Sequence, residues 1–289
     1  MRVRHWILIA ALIAGFGCRD DATSAADSGA GAGGKGVSSG VDAATDDASH
    51  MSIDAEARDA SGMAEVSGPC EGGTDGVIDG SYRILDPADA AAIAGCKTIK
   101  RNLTVDATAL TSLSLPLLTT VGGYFAVSGN PALTSLSLPL LTTIGAYLAG
   151  GSFEVSDNTA LTSLSVPVLM TVATFFTVSG NPALTSLSLP SLATVGKFNG
   201  TGFYVGDNTA LTSLSAPVLT TVTDFFRVGD NTGLTALSLP VLTTVVREFI
   251  VDNNAALETS LAQAVRNQLA APPLATTMIC GNKSGTACP

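Results

Sequence analysis

Apolar and polar residues alternate in short stretches that recur along the centre of the chain. In the first stretch, residues 112–115, serine and leucine alternate with the two-residue period of a β-strand whose leucine side is buried. Pro116 ends this strand, because proline cannot donate to a β-ladder. Leu118 and Val121 are predicted to point inward after a bend. A second short strand is predicted over residues 124–127.

The same pattern occurs six times and predicts a solenoid. Successive copies are separated alternately by 23 and by 27 or 28 residues, which indicates duplication of a two-coil unit. The longer coils carry glycine-rich inserts near residues 149–151 and 199–200, which we expect to bulge from one edge. The copies are residues 110–116, 133–139, 161–167, 184–190, 211–217 and 234–240.

An asparagine occupies one fixed position in every coil. Stacked asparagine side chains can bond the backbone of neighbouring coils at a buried corner, so we interpret them as a structural ladder. The alternative is a row of ligand contacts, which we favour less. The ladder residues are Asn130, Asn158, Asn181, Asn208, Asn231 and Asn254.

The serines that alternate with the buried leucines are predicted to form an outward, uncharged hydroxyl face. This face is the candidate binding surface for a glycan or a protein. The alternatives are a merely solvated β-surface and an ice-binding face, for which threonine would be expected. The serines are Ser112, Ser114, Ser135, Ser137, Ser163, Ser165, Ser186, Ser188, Ser213 and Ser215.

Both ends of the repeat region show signs of a cap, which a solenoid needs because its ends expose apolar surface and strand edges. Asp86 and Pro87 fit the N-cap and first position of a short helix that ends at Gly95. A second helix is predicted over residues 255–269. Its apolar face has a spacing of four residues. The residues of that face are Leu257, Leu261, Val265 and Leu269.

Four cysteines lie in two local pairs, one at each end of the repeats. In an exported protein we expect disulfides, and the proximity within each pair favours Cys70–Cys96 and Cys280–Cys288. Other pairings of the four remain open on sequence grounds. The spacings do not suit zinc, and no histidine lies nearby.

The first quarter of the chain is predicted to be a leader and a tether. Residues 1–17 have a basic start and a short apolar core, as in a signal peptide. The following Cys18 resembles the lipidated first residue of a bacterial lipoprotein; the alternative is an ordinary cleaved signal. Residues 18–69 are rich in Ala, Gly, Ser and Asp. A flexible tether of this composition would span roughly 40 Å.

Charge and histidine content exclude several kinds of chemistry. Residues 70–289 contain nine Lys or Arg and fourteen Asp or Glu, a mild negative balance that argues against nucleic-acid binding. The only histidines are His5 and His50, both outside that region, so a Ser-His-Asp site is excluded there. No nucleotide-binding motif occurs. We expect no cofactor and no resident metal ion.

One enzymatic alternative remains. Asp157, Asp207 and Asp230 each precede a ladder asparagine and should lie along one edge of the stack. Coils stack about 4.8 Å apart, so the last two carboxylates could be close enough for retaining glycoside hydrolysis. The chain would then be a carbohydrate-active β-helix. Loose calcium binding is a further alternative, and a preference of aspartate for such turns is the simplest one.

Residues 96–105 and 118–127, the latter followed by Asn130, resemble the repeats of receptor L-domains. The resemblance covers residues 70–289 and implies an all-β fold: a right-handed parallel β-helix, or leucine-rich solenoid, of about seven coils. Its repeats would span about 103–254 and its C-terminal cap 255–289. Related repeats occur in bacterial surface lipoproteins. The resemblance implies a non-enzymatic binding or adhesive module with an unidentified protein or glycan ligand. Its lipid would anchor it in a membrane, with the outer membrane expected and the module exposed at the cell surface.

Overall fold

A computed structural model describes residue 70 and residues 75–146, 150–197 and 200–289. These residues form a parallel β-solenoid of about seven turns with little helix. The predicted leader, Cys18 and the tether lie outside the described residues, as do parts of both glycine-rich inserts. Each regular coil contributes three strands. The sequence pattern predicted only two of them.

The strand that the pattern did not predict is two residues long and belongs to an eight-stranded sheet. Each of its strands pairs in parallel with the next at the same register, so Thr171 lies beside Thr143 and Thr194. The strands are β1 (Val77–Ile78), β3 (Thr98–Ile99), β6 (Thr120–Val121), β9 (Thr143–Ile144), β12 (Thr171–Val172), β15 (Thr194–Val195), β18 (Thr221–Val222) and β21 (Thr244–Val245).

A nine-stranded parallel sheet forms a second side of the solenoid. Its inward positions are apolar, and its outward positions vary from coil to coil. The strands are β2 (Tyr82–Ile84), β4 (Leu103–Val105), β7 (Phe125–Ser128), β10 (Phe153–Ser156), β13 (Phe175–Ser179), β16 (Gly202–Gly206), β19 (Phe225–Gly229), β22 (Glu248–Asp252) and β23 (Thr276–Cys280).

The serine strands form two three-stranded sheets, whereas a single continuous face was predicted. The pairing of the serine strands stops between β11 and β14. These strands are only three residues long, so the loss of one or two hydrogen bonds is enough to end the pairing. The first sheet contains β5 (Ser112–Ser114), β8 (Ser135–Ser137) and β11 (Ser163–Ser165). The second contains β14 (Ser186–Ser188), β17 (Ser213–Ser215) and β20 (Ala236–Ser238).

A stack of six phenylalanines runs through the core along the nine-stranded sheet. Every ring is fully buried, and neighbouring ring centroids are 5.1–5.3 Å apart. Such stacked pairs contribute about 0.5–1.5 kcal/mol each beyond the burial of their area. The stack therefore stabilises the contact of each coil with the next. It contains Phe125, Phe153, Phe176, Phe203, Phe226 and Phe249.

The N-terminal helix begins where the sequence predicts, but it ends at Ala92, three residues before the predicted Gly95. Helix α1 spans Pro87–Ala92, and the Asp86 carboxylate accepts hydrogen bonds from the first-turn amides of Ala88 and Asp89. The disulfide Cys70–Cys96 closes this end, as predicted.

The C-terminal helix is shorter than predicted. Helix α2 spans Thr259–Asn267, so Leu257 is buried ahead of it and does not belong to its face. The helical period therefore starts later: Ala262 and Val265 are buried, whereas Leu261 is 37% exposed. After the helix, β23 adds a further strand to the solenoid.

The predicted disulfide Cys280–Cys288 follows β23 and closes this end. No helix in the described part of the chain is long and apolar enough to cross a membrane.

Candidate ligand-binding face

The six predicted ladder asparagines are fully buried and bonded from coil to coil. Asn181 is typical. Its Oδ1 accepts from the backbone nitrogen of Asn158 at 3.1 Å and from the side-chain nitrogen of Asn158 at 3.2 Å. Its Nδ2 donates to the carbonyl oxygens of Val155 and Ser179, each at 3.0 Å. The side-chain amides of the ladder are hydrogen-bonded within the protein, and none of them is exposed to solvent.

The ladder has one more member than the sequence analysis identified. Asn282 accepts from the backbone nitrogen of Asn254 at 3.1 Å and donates to the carbonyl of Val251 at 2.8 Å. Gly281 before it has the positive φ of the earlier Gly-Asn turns, 64°. The Gly-Asn pair was the available signal, but it lies after a helix and outside the repeat period.

The residue before each ladder asparagine adopts the left-handed backbone conformation. Asp157, Asp207 and Asp230 have φ of 56–58°, and the glycines at this position have φ of 64–67°. Gly, Asn and Asp are the residues that tolerate this conformation at low cost. The backbone conformation alone therefore explains why aspartate and glycine interchange at this position, and no catalytic role is needed to account for the aspartates.

The candidate serines all lie on outward positions. Those in the outer strands of the two serine sheets are exposed, and those in the middle strands, Ser135, Ser137, Ser213 and Ser215, are half-buried between neighbours. The hydroxyl rows are short and interrupted, and they present the same chemistry in every coil. They contain no feature that distinguishes one position from another.

The outer face of the nine-stranded sheet is different, because three strand glycines each lie beneath a neighbouring side chain. A Cβ on Gly202 would come within 2.7 Å of the Phe225 ring. One on Gly206 would collide with the ring of Tyr204. One on Gly229 would collide with Asp252 and lie 3.0 Å from Nε of Arg227. These glycines stand at the first or last position of their strands, and glycine is typical of sites where another group approaches the backbone closely.

Arg227 is the centre of this cluster. Its Nε donates to Asp252 Oδ1 at 3.0 Å and its Nη2 to Asp252 Oδ2 at 2.9 Å, a bidentate pair. The same Nη2 donates to Asp230 Oδ2 at 3.1 Å. The guanidinium carbon lies 5.6 Å from the centre of the Tyr204 ring. Such contacts hold both planar groups in one orientation before any ligand arrives.

Tyr204 and two of the edge aspartates belong to the same cluster. The Tyr204 hydroxyl donates to Asp207 Oδ2 at 2.9 Å. Burial, with the Asp207 charge, raises the pKa of Tyr204 well above its usual range. Burial, followed by the charges of Asp252 and Asp207, also raises the pKa of Asp230, although Arg227 opposes the shift. Asp157 lies two coils away and takes no part.

A row of aromatic side chains runs beside this cluster. It occupies the outward position just before the buried phenylalanines, where Tyr124, Phe175 and Phe225 alternate with Ser152 and Gly202 in successive coils. Tyr124 is 44% exposed, and the two phenylalanines are half-buried. The Phe175 and Phe225 ring centroids are 6.0 Å apart across Gly202.

A shallow depression of about 470 Å³ adjoins Tyr124 on the same face. Arg83 and Asp106 border it, and Ala126 and Ser128 are among the small residues that line it. The depression is open to solvent and combines one aromatic side chain with a few polar groups.

This face was not predicted from the sequence, because the repeat pattern consists of the residues that every coil has in common. The available signal was in the residues that differ between coils. Glycine replaces serine at positions 206 and 229, and Tyr204 and Arg227 stand where other coils have alanine, glutamate, threonine or isoleucine. Comparison with family models, curated proteins and solved structures finds no match for the chain. Among the described residues, no three His, Cys, Asp or Glu side chains come together as a metal site.

Proposed function

We propose that this chain is a non-enzymatic binding module of the receptor L-domain type, displayed at the cell surface by a lipid on Cys18. Its ligand binds the outer face of the nine-stranded sheet. The tether of residues 18–69 holds the solenoid clear of the membrane. The resemblance of residues 96–105 and 118–127 to L-domain repeats supports this assignment, and the parallel solenoid is compatible with it.

The Tyr204–Arg227 cluster is the observation that carries the proposal. Binding energy concentrates in tyrosine, tryptophan and arginine side chains that are already held in place, since little conformational entropy is then lost on association. Here glycines at 206 and 229 give those side chains room to lie flat on the sheet. Three other coils place serine at the equivalent position, at residues 128, 156 and 179.

The experiment measures adhesion of the purified protein, labelled with a fluorophore, to immobilised cell envelopes and extracellular matrix. We expect Tyr204→Ala to weaken adhesion at least tenfold and to lower the melting temperature only modestly, because Tyr204 lies on the outer face and its lost contacts are those with Asp207, Gly206 and Arg227. The matched control is Ser188→Ala on the other face, which should bind like the wild type. Loss of adhesion in the control, with Tyr204→Ala unaffected, would move the site to the serine sheets.

The carbohydrate-active alternative has one observation in its favour. Asp230 has a raised pKa beside a second carboxylate, Asp207, as a general acid requires. Against it, the Asp230 carboxylate is bonded to Arg227 and the Asp207 carboxylate to the Tyr204 hydroxyl. Incubation with polysaccharides tests it: release of sugar that disappears in Asp230→Asn would establish an enzyme. We expect no release.

A further inference from the structure

The aromatic row on the nine-stranded sheet has a period of two coils. Tyr124, Phe175 and Phe225 lie in alternate coils, with Ser152 and Gly202 between them. Adjacent strands are about 4.8 Å apart, so the aromatic positions recur about every 10 Å along the solenoid axis. In an extended β-linked polysaccharide, successive sugar rings are flipped, and every second ring presents the same face. The backbone positions of the aromatic residues therefore recur at the length of one disaccharide, whereas the Phe225 ring leans over Gly202 and its centroid lies 6.0 Å from that of Phe175.

We propose that the ligand of this face is an uncharged, extended β-linked polysaccharide that lies along the solenoid axis over Tyr124, Phe175 and Phe225. This inference rests on the proposed function and names its ligand class.

Stacking is the first interaction that such a chain would make. The axial C–H groups of a β-linked pyranose carry partial positive charge and pack against the negative face of an aromatic ring. Phe175 and Phe225 form one wide surface, because Phe225 leans across Gly202 and the two rings meet at an interplanar angle of 43°. Tyr124 and the depression beside it would receive the next disaccharide unit.

The polar groups beside the aromatic row suit sugar hydroxyls. Glu154 and Thr177 lie on the next outward row and are half-buried. Asp207 and Tyr204 continue the polar surface toward the corner of the coil. Planar carboxylate groups and hydroxyls at fixed positions are what orients a sugar ring on an apolar surface.

Charge disfavours anionic polymers. Arg83, which borders the depression, is paired with Asp106. The only arginine in the described part of this cluster, Arg227, is balanced by Asp252 and Asp230. Glu154 and Asp207 add negative charge nearby. A polysaccharide of uronic acids or phosphate groups would therefore meet like charge, whereas a neutral chain would not.

The length of the row predicts a dependence on chain length. From Tyr124 to Phe225 there are four strand-to-strand steps, or about 19 Å. A hexasaccharide can span this distance, but a disaccharide reaches only one end of it. We therefore expect the hexasaccharide to bind at least tenfold more tightly than the disaccharide.

The test is calorimetric titration of the purified protein with defined sugars. The probes are cellohexaose and N-acetylchitohexaose, with cellobiose as the short probe, maltohexaose as the α-linked control and polygalacturonate as the anionic control. We expect at least one β-linked hexasaccharide to bind, and both controls to fail. Phe225→Ala and Tyr124→Ala should each weaken binding at least tenfold. Leu117→Ala, which alters a 43%-exposed side chain outside the nine-stranded sheet, should leave it unchanged.

Each other outcome overturns the inference. If neither hexasaccharide binds, or maltohexaose binds equally well, the ligand is not a β-linked glycan. If a protein from the envelope binds and Phe225→Ala abolishes that binding, the proposed function holds while the inference fails. If a hexasaccharide binds and neither aromatic variant weakens it, the assigned face is wrong and both fail. Melting curves of all variants separate loss of the site from loss of the fold.

Discussion

Truncation of Asn181 to alanine removes five hydrogen-bond contacts from the middle of the solenoid. Its Oδ1 accepts two donors of Asn158, and its Nδ2 donates to two carbonyls and to Asn208 Oδ1 at 3.2 Å. All three asparagines are fully buried. No buried side-chain polar atom in the described part of the chain lacks a partner, so the variant would create defects where none exist.

The largest single cost is the orphaned backbone N–H of Asn158. A buried donor without a partner costs about 1–3 kcal/mol. The Val155 and Ser179 carbonyls each lose one donor, but the Ser179 carbonyl keeps the Asp157 N–H at 3.0 Å and Val155 remains paired in the ladder of β10 and β13. A water molecule that enters the vacated space would offset part of this. We expect a total loss of about 2–4 kcal/mol in the free energy of unfolding.

Position in the ladder provides the comparison. Asn254 has the same set of partners as Asn181 because Asn282 follows it, so Asn254→Ala should cost as much as Asn181→Ala. Asn282 donates to the Val251 carbonyl alone among the bonds of the described residues, so Asn282→Ala should cost somewhat less, although it still leaves the Asn254 N–H without its partner. Asp207→Asn keeps a residue that tolerates the left-handed conformation and should change the free energy of unfolding little.

The assay is urea unfolding of the four variants beside the wild type, followed by circular dichroism. Equal, near-zero effects for Asn181→Ala and Asp207→Asn would refute the assignment of the ladder to stability. A variant at Asn181 that remained stable but no longer bound ligand would show that the ladder contributes to binding.

Four further predictions follow from particular residues. Asp157 has φ of 56°, so Asp157→Ala should lose about 1 kcal/mol in urea unfolding while Asp157→Gly stays near the wild type. The Cys70–Cys96 disulfide closes a separation of 26 residues, so replacing both by serine should lower the unfolding free energy by about 3.5 kcal/mol in the same assay. Burial, with the charges of Asp89 and Asp86, raises the pKa of Tyr82 to about 12 from 10.0. The protonated Tyr82 therefore contributes to the free energy of unfolding below pH 10, and this contribution is lost as the pH rises to about 12. Thermal melting across that interval should show a smaller decline in Tyr82→Phe. Mass spectrometry of the mature protein should find an acylated Cys18 at its N-terminus, and an unmodified Cys18 would contradict the anchor.

Most of the fold could be predicted from the sequence because its causes repeat. The leucine period predicts a strand in every coil, and Asn181 and its equivalents mark the coil length. Both disulfides follow from the local pairing of cysteines. The features that the sequence did not predict are short or singular. A two-residue strand such as Thr120–Val121 is too short to show a period, and Leu261 fits a helical face only if the helix begins earlier than it does.

The candidate binding face could not be predicted in the same way, for a physical reason. Whether a strand position lies beside a glycine or a serine of the next coil depends on register. Register is fixed by the stacking of one coil on the next. The sequence gives only the approximate length of each repeat, which does not determine the register. The contact of Phe225 with Gly202, and of Asp252 with Gly229, becomes evident only when the strands are aligned.

The repetition itself indicates where a specific function can lie. Some residues occur once in every coil, such as the ladder asparagines and the buried phenylalanines. These residues stabilise the stacking of each coil on the next one, which every coil needs. Such a residue cannot define a unique position along the axis, because its neighbours one coil away are identical. A ligand that binds in one register needs positions where coils differ. Tyr204, Arg227 and the glycines at 202, 206 and 229 are such positions, and each glycine, at the first or last position of its strand, gives up the contacts that a side chain would make there. Since the same fold is built elsewhere in this chain without that loss, we infer that these departures are retained for binding.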